Sequence, residues 1–118
     1  MISKIFNIID TYWIIITILL SIIILIGSIL PAVVITAPSG SDKLFHIISY
    51  LFLSFPAAFR ALHSYILIFS YFVFFGVAIE LLQPHFNRHF EVADIFANTL
   101  GTLLGIFFAD FIKKYYSY

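Results

Sequence analysis

Apolar residues run in long blocks along this chain, broken by short polar interruptions. Measured against the roughly 20 residues that a helix needs to cross a bilayer, four blocks stand out, at about 12–35, 44–59, 64–83 and 94–112. The first carries no charge, and the second closes on Arg60. The third stops at Pro84, and the fourth ends on Lys113-Lys114. Short connections between the blocks force neighbouring helices to run antiparallel. The pattern therefore predicts an all-α, four-transmembrane-helix bundle forming a single membrane domain over residues 1–118. The second block is short for a span, and snorkelling of Lys43 and Arg60 would extend it. Pro31 and Pro56 each remove a backbone donor and are expected to bend their helices. The first block exceeds the roughly 7–15 residues of a signal-peptide core, so a retained helix is expected rather than a cleaved leader.

Composition sharpens this picture. The chain is 63% hydrophobic and 10% charged, whereas an ordinary soluble domain is about 45–50% apolar and about 25% charged. So few charges cannot cover a water-facing surface, and the expected solvent is lipid. Six basic and six acidic side chains cancel, leaving no basic stripe to hold a phosphate backbone, so nucleic acid is not expected as a partner. The absence of cysteine excludes disulfides, thiolate metal sites and cysteine nucleophiles. Four spans would put Lys4, Arg60, Lys113 and Lys114 on one side and Lys43 and Arg88 on the other. The side richer in Lys and Arg is the cytoplasmic one, which places both termini in the cytoplasm.

The remaining polar residues gather at the ends of the blocks with helical spacing. Asp42-Lys43-x-x-His46-x-x-x-Tyr50 opens the second block, and Gly76-x-x-x-Glu80-x-x-Gln83 closes the third. Arg88 precedes Asp94-x-x-x-Asn98-x-x-Gly101-x-x-x-Gly105 in the fourth. At 100° per residue, Lys43, His46 and Tyr50 fall within about 60° of one another, and Ser54 continues the stripe. Such stripes are disfavoured against lipid, so they are expected to face each other inside the bundle. Antiparallel topology brings all three groups to the same membrane face.

Glu80 lies about one turn below Pro84 and needs a cation, a donor, a proton or water. It reads either as a ligand-binding or proton-handling carboxylate or as a structural ion pair between helices, with Lys43, His46 and Arg88 the nearest cations by topology. His46 is open to a structural hydrogen bond or to a role as general base, ligand contact or metal ligand. Asn98 can bridge helices or hold a ligand. Gly76, Gly101 and Gly105 form small-residue stripes that let helices approach closely. His85 and His89 stand near Glu80, Glu91 and Asp94, a set of divalent-metal ligand types, but no ligand spacing such as H-E-x-x-H occurs, so neither a metal nor another cofactor is expected.

The order of these motifs from Ser41 to Phe108 resembles the VanZ-like family of small bacterial membrane proteins, whereas residues 1–40 match only as a hydrophobic first helix. The stretch His89-Phe90-Glu91 is bulkier and more acidic than the small polar residues expected there. The resemblance implies a multi-pass protein of the bacterial cytoplasmic membrane, linked to resistance against the lipoglycopeptide teicoplanin. A polar site made of Asp42, Lys43, His46, Tyr50, Glu80, Gln83, Arg88, Asp94 and Asn98 is expected to bind a lipid head group or lipid-linked envelope molecule. The competing expectations are an enzyme acting on a lipid-linked substrate, with His46 or Glu80 as acid or base, and a structural or accessory subunit. Further partners would be a second copy of the chain or another membrane protein.

Overall fold

A helix with a polar stripe, Ser41–Arg60, packs against all four of the other α-helices. In the computed structural model, which describes residues 2–29, 41–86 and 90–115, five α-helices follow one another. They are α1 (Ile2–Thr11), α2 (Trp13–Ile29), α3 (Ser41–Arg60), α4 (Tyr65–Leu82) and α5 (Val92–Tyr115). Short 3-10 turns, Leu62–Ser64 and Gln83–Phe86, extend α4 at both ends. No strand occurs among the described residues. Only the backbone is described for Ile2, Ser41 and Asp42. Pro31, Arg88, His89 and the expected end of the first block lie outside the described residues.

Among the described residues two helices, Leu62–Phe86 and Val92–Tyr115, are long and apolar enough to cross a membrane, and a third is added if α1 and α2 count as one bent span. The four apolar blocks of the sequence thus map onto four helices of unequal character. α3 has 20 residues, about 30 Å at the helical rise, but Lys43, His46, Ser49, Tyr50 and Ser54 dilute its apolarity. Its inward face buries Tyr50, Leu53, Ser54, Ala57, Ala58 and Phe59. Pro56 sits inside it. The outward faces of α4 and α5 instead leave large apolar side chains open, such as Phe74 at 75% and Phe96 at 70% exposure. Contiguous apolar surface of this kind belongs against lipid or a partner rather than water.

α1 is a helix that the block pattern did not anticipate. It meets α2 at 78° and places Ile5, Phe6, Ile8 and Ile9 on one face, opposite Ser3, Lys4, Asn7 and Asp10. Phe6 and Ile9 pack on Ala58, Phe59 and Ala109, with the Phe6 and Phe59 rings 5.3 Å apart. Asp10 lies 3.7 Å from Arg60, tying α1 to the end of α3.

α3 and α5 touch backbone to side chain. A Cβ placed on Gly101 would run into the Ile47 carbonyl and come within 3.0 Å of Tyr50 Cβ. One on Gly105 would meet Ser54 Oγ and the Leu51 carbonyl. The Ser54 hydroxyl donates to its own turn, to Tyr50 O at 2.8 Å, and lies 3.3 Å from the Thr102 carbonyl of α5. Gly76 of α4 leaves room for Asn98, whose Nδ2 would stand 3.1 Å from an added Cβ. A Cβ placed on Gly27, in contrast, would meet nothing within 4 Å. Gly101→Ala is expected to destabilise the bundle by about 1–3 kcal/mol, the usual penalty of overpacking. Gly27→Ala should stay within about 0.5 kcal/mol of the parent, and thermal melts in detergent compare the two.

Candidate functional site

Lys43, His46 and Tyr50 repeat at helical spacing on the face that α3 turns inward. α4 and the turn after it supply Glu80 and Gln83, and α5 supplies Asp94 and Asn98. Glu80, Gln83, Asp94, Asn98 and Tyr50 are all buried. Gly76 and Gly101 are what let these side chains meet, because Asn98 and Tyr50 occupy the space a side chain would fill.

Ion pairs and hydrogen bonds join the three helices. The Lys43 ammonium donates to Asp94 Oδ1 at 2.6 Å and to the Glu91 carboxylate. His46 Nδ1 faces Asn98 Oδ1 at 2.8 Å, a pairing in which the ring N–H donates to the amide carbonyl. The other ring nitrogen, Nε2, lies 3.6 Å from Asp94 Oδ2, too far for a good hydrogen bond. Glu80 Oε2 accepts the backbone N–H of Glu91 at 3.3 Å. Gln83 Nε2 donates to the Ser28 carbonyl of α2 at 3.2 Å.

Four buried polar atoms in this region have no hydrogen-bond partner: Glu80 Oε1, Gln83 Oε1, Tyr50 Oη and Asn98 Nδ2. Leaving such a group unpaired costs about 1–3 kcal/mol, and native structures pair nearly all of them. Two acceptors and two donors are thus left unpaired on the facing sides of α3, α4 with its following turn, and α5. A cavity of about 220 Å³ is lined in part by two of these residues, Tyr50 and Gln83. His46, Ser49, Tyr50 and Gln83 supply its polar wall, and Ile23, Ile24 and Phe45 its apolar one.

Seven of the nine expected site residues thus fall in one connected cluster. The Asp42 side chain and Arg88 lie outside the described residues. Among the described residues no ion pair joins Glu80 to Lys43 or His46, and Lys43 goes to Glu91 and Asp94; Arg88, the third expected cation, lies outside the described residues. Glu91 was not among the expected site residues, although it stands one helical turn before Asp94 and its carbonyl accepts the Asp94 N–H at 3.1 Å. Ser28 and Ser49 were also missed, since an isolated serine in an apolar block carries no signal of its own. His63, His85 and Asp110 take no part in these contacts.

No family model, no curated protein and no solved structure matches this chain.

The His46–Asn98 pair provides a test of the geometry. Asn98→Leu strands the ring N–H and should lower stability by about 1–3 kcal/mol. Adding His46→Leu to it should recover part of that loss, a coupling measured by a double-mutant cycle in thermal or denaturant unfolding.

Proposed function

We propose that the chain is a four-span protein of the VanZ-like type, in the bacterial cytoplasmic membrane with both termini inside. Its polar cluster at the outer face holds the head group of an envelope lipid or lipid-linked molecule. α3 is then the fourth crossing helix, able to span because α2, α4 and α5 shield its polar stripe from the acyl chains. The excess of Lys and Arg at Lys4, Arg60, Lys113 and Lys114 supports the orientation.

The observation that carries the head-group reading is the set of four unpaired buried polar atoms, two of them on Tyr50 and Gln83, which line a cavity with one polar and one apolar wall. Glu80 Oε1 and Gln83 Oε1 would accept from hydroxyl or amino groups, while Tyr50 Oη and Asn98 Nδ2 would donate to a phosphate or carboxylate. Lys43, already at the mouth of the cluster, supplies a positive charge that an anionic ligand would share. Ile23, Ile24 and Phe45 would take the first carbons of an attached chain. A protein with these properties is an amphiphile receptor, and the resemblance points to teicoplanin tolerance as the phenotype to score in cells.

Tyr50→Phe removes an unpaired hydroxyl and should therefore leave the melting temperature of the free protein unchanged or raised. The same variant should lose most of the thermal stabilisation that anionic envelope lipids give the parent in mixed micelles. No stabilisation of the parent by any such lipid would sink the reading.

A further inference from the structure

We propose that His46, Glu80 and Asp94 hold a divalent transition-metal ion of the zinc or manganese type. One ligand atom from each of the three residues lies within 4.8 Å of the other two, and they come from three different helices. An imidazole with two carboxylates is the mixed nitrogen–oxygen donor set that such ions accept.

The hydrogen bonds divide each ligand into an anchored atom and a free one. His46 is anchored through Nδ1 to Asn98, which leaves Nε2. Asp94 is anchored through Oδ1 to Lys43, leaving Oδ2. Glu80 is anchored through Oε2 to the Glu91 N–H, leaving the unpaired, fully buried Oε1. Outer contacts that fix one atom and present the other are how proteins orient metal ligands. His46 Nε2 and Asp94 Oδ2 are 3.6 Å apart. Two ligands on bonds of about 2.0–2.2 Å stand roughly 3.3–3.6 Å apart around a near-tetrahedral ion.

Charge favours the same occupant. Glu80, Glu91 and Asp94 are opposed among the described residues by Lys43 alone. A divalent ion would balance that acidic excess, which an anionic ligand by itself would worsen. Three protein ligands leave a tetrahedral ion one open position. On the head-group reading, an anionic oxygen of the lipid takes that position, so the ion rather than Lys43 alone recruits the phosphate or carboxylate. This last step rests on the proposed function; the metal site itself does not.

The test is titration of the chelator-treated full chain in detergent with Zn2+ and, separately, Mn2+, read by calorimetry and by metal analysis after desalting. The expected result is about one equivalent bound, as for a built site. His46→Ala and Asp94→Asn should weaken binding 100-fold or more. Asn98→Ala should weaken it by about 10–100-fold, the usual effect of removing an outer contact. His85→Ala, an exposed histidine outside the cluster, should change nothing. Absence of stoichiometric binding by the parent, or equal binding by His46→Ala and Asp94→Asn, overturns the proposal whether or not the variants fold well. The lipid melt repeated with chelator and with Zn2+ separates the two readings. Lipid stabilisation without metal binding leaves the head-group site standing and removes the ion, whereas metal binding without lipid stabilisation does the reverse.

Discussion

Everything in this bundle depends on how closely α3 and α5 can approach. The contact is made where Gly101 and Gly105 face the backbone of α3, and no larger residue fits there without moving a carbonyl or a serine hydroxyl. Without that approach Asn98 would not reach His46, nor Asp94 reach Lys43. Close packing is also the main force available to helices in lipid, where burying apolar surface against a neighbour gains little over burying it against acyl chains. The same glycines therefore serve cohesion and position the polar side chains.

A second constraint follows from the solvent. Large apolar residues cover the outward faces of α4 and α5, so polar side chains can be tolerated only on the inside. α5 buries Asp94, Asn98 and Thr102 against α3, which contributes Ser54 and the Tyr50 ring to the same interior. Inside, most polar groups find partners, and the pairing looks like that of a structural network at Lys43–Asp94 and His46–Asn98. It stops looking so at Glu80, where one carboxylate oxygen is buried with nothing to bond. A partly satisfied buried network is worse than an apolar one, so Glu80 is where binding rather than cohesion is expected to be served.

Much of the architecture was legible in the hydrophobic pattern. The blocks at 44–59, 64–83 and 94–112 differ from α3, α4 and α5 by a few residues at each end, since capping turns and fraying are invisible to an apolar run. α1 was not seen, because a block search passes over a short amphipathic helix whose signal is periodic rather than continuous; Ile5, Phe6, Ile8 and Ile9 carry that period. Helical spacing grouped Lys43 with His46 and Tyr50, and Asp94 with Asn98. It could not say which residue would pair with which across helices. That is why Lys43, His46 and Arg88 all stood open as partners of Glu80, and why three ligands on three helices left no spacing along the chain. Glu91 escaped for a related reason: it lies just before α5 and joins the cluster through Lys43.

The central claim is that the cluster is kept for binding at the expense of stability. Thermal unfolding of Glu80→Gln in metal-free detergent tests it most directly, because glutamine keeps an acceptor for the Glu91 N–H while removing the unpaired charge. The account predicts a midpoint equal to or above that of the parent, together with loss of stabilisation by lipid. A clear fall in the midpoint, with lipid stabilisation declining only in parallel, would show that Glu80 holds the bundle together and would contradict the account.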